Sequence, residues 1–256
     1  MFATPAFLRR FRLTRRWSFS LLRRYAEAFK PRYTVERRMG VWLLLDQINK
    51  VDLHLLCGGV WEADRLACLA RLTREHRQGR RAVLLDIGAH GGLYSLALDA
   101  RVTFDRIVAF EPEPASLAQI HANALMNNLS EKMTIVAKAV SDAPGLAAFA
   151  VAHDSNRGQS RIAEAEARPR ERKIQVQVTT IDDEFHEKDV LVVAKIDVEG
   201  NENRVISGMK QCLQNNAVIL QIEKNSRDIS TLDSLLMSLG ARRVHAIGQD
   251  YYYVKP

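Results

Sequence analysis

The chain has 256 residues, 47% apolar and 26% charged, which suits one large α/β domain with a short accessory segment. That composition excludes collagenous, low-complexity and repeat architectures. The net charge of +7 is uneven: residues 1–40 hold eleven Lys and Arg against two acids, whereas residues 41–256 hold 26 basic against 28 acidic side chains. A nucleic-acid-binding protein usually carries its basic face on the folded domain, so the near-neutral remainder argues against DNA or RNA as a partner.

Residues 1–40 read as a basic arm. Phe7, Phe11, Trp17, Leu21, Tyr25 and Phe29 recur mostly every three to four residues, with seven arginines between them. This cationic amphipathic pattern suits the headgroup region of an anionic membrane. A transit peptide and a helix packing its aromatics on the domain are the alternatives. No apolar run reaches the length of a signal peptide or a membrane span. Cys57, Cys68 and Cys212 include no C-x-x-C pair, which suggests neither a disulfide framework nor a zinc site and fits a reducing compartment. The expectation is a cytoplasmic protein, peripheral on the inner face of the membrane, or an organellar one if the arm is removed.

Residues 41–80 form an accessory segment. Val41–Leu45 is an apolar run, the alternation Val51, Leu53, Leu55 predicts a strand after a hairpin, and Asp64–His76 has helical spacing. From residue 81 strand-like and helix-like stretches alternate, the pattern of a Rossmann-like, mostly parallel sheet with helices on both faces. Strands are predicted at 82–87, 106–110, 133–140, 190–196 and 217–222, and helices near 93–100, 114–128, 201–214 and 229–239. A last antiparallel hairpin about Gly248–Gln249–Asp250 supplies the sheet edge, for seven strands in all. Between Leu146 and Val178 the rhythm breaks into a hairpin whose polar stretch, Asp154–Arg172, reads as an exposed loop and a substrate lid.

Three clusters carry chemistry. Asp86-Ile-Gly88-Ala89-His90-Gly91-Gly92 joins a buried strand to a helix, where glycine lets a ligand approach backbone N–H groups. The spacing departs from the G-x-G-x-x-G of dinucleotide folds, which disfavours an NAD-dependent oxidoreductase, as does the lack of an evident Tyr/Lys or Cys/His set. Glu111-Pro112 ends the next strand, where an acid accepts hydrogen bonds from ribose hydroxyls. Lys195-Ile-Asp197-Val-Glu199-Gly-Asn-Glu202 ends a very apolar strand, and Glu223, ending the next, stands beside Asp197 if the two run parallel. Clustered carboxylates at such strand ends serve as a proton acceptor, bind sugar hydroxyls or hold a divalent cation. Asp197 is the first candidate base and Glu199 the second; the reading assigns no metal, with an Asp197–Glu223 cation as the alternative.

These pieces, with Asn123, Asn127-Asn128, Ala139-Val-Ser141-Asp142 and Thr180-Ile-Asp182-Asp183, stand in an order that resembles the FkbM-type methyltransferase family over roughly residues 80–225. The family usually has Asn at the position of His90 and often His or Ala at that of Asn201. The resemblance implies an S-adenosylmethionine-dependent O-methyltransferase acting on a small-molecule, glycan or lipid-linked hydroxyl. It implies that Gly88, Ala89 and Gly91 border the methionine part of the cofactor, with Asp86 and His90 in the same turn. Glu111 and Pro112 would hold the ribose, Ser141 and Asp142 would lie near the adenine, and Asp197, Glu199 and Glu202 would face the acceptor. A membrane-associated binding module without catalysis is the non-enzymatic alternative, against which the intact glycines and Glu111 count.

Overall fold

The computed structural model describes Arg24 and residues 31–163, 172–224 and 229–256, so the aromatic and basic pattern of Phe7–Phe29, Arg24 apart, lies outside the described residues. An antiparallel ribbon comes first, β1 (Tyr33–Arg38) with β2 (Val41–Asp46), and it straddles the expected boundary at residue 40. The strand expected at Val51–Leu55 is a helix instead, α1 (Lys50–Leu56). The Asn49 side chain accepts from the Val51 and Asp52 amides, and the buried Asp52, Leu53, Leu55 and Leu56 turn one helical face inward. Helix α2 (Ala63–Arg77) follows, close to the predicted range.

The main domain proceeds through β3 (Ala82–Ile87), α3 (Leu93–Asp99), β4 (Arg106–Phe110), α4 (Pro114–Met126) and β5 (Met133–Val136). The single strand expected at 133–140 divides here. Its second half, β6 (Ala139–Val140), leaves the main sheet to pair with β9 (Arg172–Thr179) in a separate four-stranded sheet. That sheet also holds β7 (Gly145–Val151) and β8 (Arg161–Ile162), and β7 and β9 are the predicted hairpin. The polar stretch between them is not uniformly exposed: Asp154–Gln159 forms a 3₁₀ turn that buries Arg157.

After α5 (Ile181–Glu184) come β10 (Leu191–Ile196), α6 (Glu202–Ser207), α7 (Lys210–Asn215) and β11 (Ala217–Glu223). The single helix expected at 201–214 is broken at Gly208, where a Cβ would stand 2.2 Å from the Ser141 carbonyl oxygen, so two chain segments pass too closely for any side chain. Helix α8 (Ser230–Ser238) leads to β12 (Arg242–Ile247) and β13 (Asp250–Lys255).

The main sheet has the order β12-β13-β11-β10-β3-β4-β5, parallel except for β13, which inserts antiparallel between β11 and β12. Helices cover both faces, which explains why β3 and β10 are buried throughout and apolar except for Asp86 and Lys195. Val83, Leu85 and Ile87 pack with α6–α8 on one face, and Ala82 and Leu84 with α2–α4 on the other. The carboxyl ends of β3, β4, β10 and β11 therefore share one edge, where ligands of such sheets bind.

Candidate active site

At that edge the chain leaves β3 through Gly88, whose φ of +84° favours glycine. A Cβ there would lie 1.9 Å from the Asp197 carbonyl oxygen, so the turn after β3 presses directly on the turn after β10. The Gly88 and Ala89 amides both donate to the Phe110 carbonyl at 3.0 Å, tying in the end of β4. Two adjoining cavities result, with Gly88, His90, Gly158 and Asp197 lining both.

The first, of roughly 510 Å³ including the space at its mouth, is lined by Phe110, Glu111 and Pro112 on one side and by Val140, Phe149 and Ile162 on the other. Each Glu111 oxygen accepts one backbone bond, from His90 at 2.9 Å and from Glu113 at 2.8 Å, which leaves a second lone pair on each for a ligand. Burial, only partly offset by those bonds, pushes Glu111 up to about 7. His90 takes a left-handed φ of 48°; burial, and then the charge of Arg157, push its imidazole down to about 4, so it is neutral at physiological pH.

The second cavity, of roughly 980 Å³ including its open mouth, holds Asp86, Lys195, Asp197, Glu199 and Glu223. Lys195 Nζ pairs with Asp197 at 2.7 Å and lies 4.9 Å over the Tyr94 ring. Burial acts to lower its ammonium, but Asp197, Glu62 and Asp86 outweigh it and hold the pKa above the ordinary lysine value. The register of β10 and β11 ends at Ile196 beside Ile222, and Asp197 and Glu223 are the residues that follow that last pair. Burial, then Asp197, raises Glu223 well above the usual carboxylate range, and Glu199 is raised for the same two reasons. Among the described residues, no three Asp, Glu, His or Cys side chains gather as a metal-holding group.

Not every expected site residue reaches the cavities. Glu202 is buried and caps the Gly200 amide at 2.7 Å, with Lys224 3.6 Å away, so it braces the turn instead of facing an acceptor. Ser141 and Asp142 bond to each other at 3.1 Å and line neither cavity; Ala139 and Val140 provide that wall. Gly91 faces α4, its carbonyl accepting from Asn123 at 2.7 Å. The rest, Asp86, Gly88, Ala89, His90, Glu111, Pro112, Lys195, Asp197, Glu199 and Glu223, line one or both cavities.

Sequence reasoning missed Arg157, Trp61, Glu62 and Tyr94. Arg157 pairs with buried Asp46 at 2.8 Å, while Arg32 bridges Asp46 and Asp154, so the 3₁₀ turn is latched to the ribbon across the mouth of the site. Such a contact between residues 111 positions apart leaves no local signal, since a single Arg in a polar stretch looks solvated.

The cofactor expected from the sequence fits the residues present. Asp86 is fully buried and borders the cavity; one oxygen accepts from the Ser95 amide and hydroxyl at 3.1 and 2.6 Å, and the other is buried without a hydrogen-bond partner among the described residues. A buried orphan carboxylate oxygen calls for a donor such as an amino acid's ammonium group. With the free lone pairs of Glu111, it matches the amino and ribose ends of S-adenosylmethionine.

The strand order, with its inserted antiparallel β13 and ligand edge, defines the Rossmann-like class I methyltransferase fold. The chain belongs to the methyltransferase FkbM domain family, whose model matches residues 86–243. Among solved structures it is similar to methyltransferase FkbM from Methylobacillus flagellatus KT, with 16% identity over 92% of this chain and a TM-score of 0.49. The alignment spans 57% of that protein's length. It is also similar to precorrin-6y C5,15-methyltransferase from Geobacter metallireducens GS-15, at 15% identity over 76% of this chain and 88% of that one, with a TM-score of 0.45. M. jannaschii TYW2 in complex with AdoMet gives 11% identity, 88% and 84% coverage, and a TM-score of 0.41. No curated protein matches the chain in sequence.

Proposed function

We propose that the protein transfers a methyl group from S-adenosylmethionine to a hydroxyl oxygen of a sugar, on a glycan, glycolipid or similar small molecule. The observation that carries this reading is the meeting of the two cavities at Asp197: one side offers a ribose acceptor, Glu111, and the other a carboxylate-lined chamber. The cofactor supplies a methyl group already activated by its sulfonium. The protein's own task is to orient the acceptor and take its proton, because a sugar hydroxyl is a poor nucleophile at neutral pH. Asp197, fixed by Lys195, stands where the cavities join and is placed to accept that proton. A chamber lined by acids also repels a phosphate backbone, which agrees with the near-neutral charge of residues 41–256 in disfavouring RNA. The direct test is incubation with labelled cofactor and a panel of glycosides, with mass spectrometry for a 14-dalton gain; label appearing on RNA and on no sugar would overturn the proposal.

Cofactor recognition has its own check. Glu111→Ala should weaken S-adenosylmethionine binding by about 1.5–3 kcal/mol, the scale of hydrogen bonds to a charged group. Unchanged affinity by calorimetry would remove the ribose assignment.

The basic arm supports a peripheral site of action on an anionic membrane. No helix among the described residues is long and apolar enough to cross one. At the C-terminal end of the arm, Tyr33, Val35 and Arg37 alternate on the outer face of β1, with exposed Trp42 opposite Arg37, so apolar and cationic groups share one surface. Each basic side chain near such a surface contributes about 1 kcal/mol. Deleting residues 1–30 should abolish sedimentation with anionic vesicles and spare cofactor binding; equal sedimentation would make the arm a structural element.

A further inference from the structure

The large cavity has a wall that the family-matched residues do not supply. The loop between α1 and α2 brings Trp61 and Glu62 to it, facing the chamber that holds Lys195, Asp197 and Glu223. Trp61 is half-buried, its ring edge-to-face with His54 at 5.9 Å and its amide bonded to the Met39 sulfur at 3.5 Å, so the indole is held in place. Glu62 takes a left-handed φ of 46° at the N-terminus of α2 and makes no capping hydrogen bond. One of its oxygens, Oε2, is buried without a hydrogen-bond partner among the described residues. A left-handed backbone and an unsatisfied carboxylate oxygen at a residue that lines a cavity are costly to the fold, and such features cluster where a ligand is bound.

We infer that Trp61 and Glu62 form an acceptor subsite for a neutral, hydroxyl-rich sugar ring, with the indole as the platform for its C–H face and Glu62 as the acceptor for its hydroxyls. This rests on the sugar O-methylation reading and adds the class of sugar and the residues that choose it. A pyranose presents an apolar C–H face and a rim of O–H donors, matching an aromatic surface beside carboxylates. Glu62, Asp197, Glu199 and Glu223 supply oxygen acceptors, and of the two lysines lining the chamber Lys195 is taken up by Asp197, which leaves the exposed Lys50 outnumbered by acids. A uronate or sugar phosphate would bring a like charge into this chamber, and that repulsion rejects it. The subsite comes from outside residues 86–243, so acceptor choice is separable from the methyl-transfer machinery.

The test uses the full chain. The sequence has three tryptophans, so the Trp17→Phe, Trp42→Phe double variant keeps Trp61 as its sole indole reporter. With S-adenosylhomocysteine saturating, methyl glucoside, mannoside, galactoside and rhamnoside are titrated against it, beside glucuronate and glucose 6-phosphate. At least one neutral glycoside should shift Trp61 emission saturably, and the two anions should not. Glu62→Gln should weaken that glycoside at least tenfold and raise its KM by the same factor, with kcat within about threefold and cofactor affinity unchanged. Glu62→Gly, which relieves the left-handed strain, should raise Tm by about 2–4 °C while losing the same affinity, a combination that a purely structural glutamate would not give. Normal glycoside affinity in both Glu62 variants, or equal binding of glucose 6-phosphate, overturns the subsite. If glycosides are methylated with an unchanged KM in Glu62→Gln, only the subsite falls. If none is bound or methylated, the sugar reading falls with it.

Discussion

Asp197→Asn should lower methyl-transfer turnover by roughly 10²–10⁴, the range for loss of a positioned base, while cofactor affinity stays within about twofold. The fold should survive because Lys195 keeps the fields of Glu62 and Asp86 after losing its 2.7 Å partner, and Asn is nearly isosteric. Turnover at saturating cofactor, with calorimetry of the same variant, separates the two effects. Activity within a few fold of the parent would move the base to Glu199 or to a cation held with Glu223, and added chelator distinguishes those. The pH profile follows from the same pair. Glu223 is raised by burial and then by the charge of Asp197, so Glu223 holds a proton at pH values where an isolated acid has lost it. Ionisation of Glu223 adds a negative charge that favours proton transfer to Asp197, so kcat/KM should fall as pH drops through the Glu223 value, about 8. A rate flat down to pH 5 would mean that Glu223 has no part in the proton transfer.

The legible part of this protein is the part written locally. The apolar runs of β3, β4, β10 and β11 are strands because helices cover both faces of the sheet, and the residues ending them, Asp86, Glu111, Asp197 and Glu223, fall on one edge by topology alone. Motif matching was a poorer guide to the role of each residue. Asn123 and Asn127 hold β2 against α4 through the Leu44 and Trp42 backbones, and Asp182 accepts the Gln211 and Cys212 amides at the start of α7. Glu202 likewise serves the turn it sits in. In this chain these polar residues satisfy backbone groups that the fold leaves open, which from sequence looks the same as touching a ligand. The other losses are non-local. The split of 133–140 depends on a second sheet, the Gly208 break on the approach of Ser141, and the Arg157 latch on Asp46 in a different element.

The sharpest test of the site as one unit is Gly88→Ala. The new methyl group would enter at 1.9 Å from the Asp197 carbonyl, where the obstacle is backbone and no rotamer relieves it. At φ +84° alanine also loses the conformation that glycine holds freely. Overpacking costs about 1–3 kcal/mol and a left-handed non-glycine residue about 1 more, so thermal stability should fall by several degrees. The functional loss should exceed the stability loss. The methyl can be accommodated only by moving the turn after β3 or the turn after β10, the first carrying His90 and the amides bonded to Phe110, the second carrying Asp197. Either displacement spoils the junction of the two cavities, and a shift near 1 Å there costs on the order of 10² in rate. The expected result is a folded variant with weak cofactor binding and turnover down at least a hundredfold. A Gly88→Ala protein with parental turnover and affinity would show that the two turns are not in contact in the working enzyme, and the arrangement of Asp197 beside the cofactor cavity would have to be abandoned.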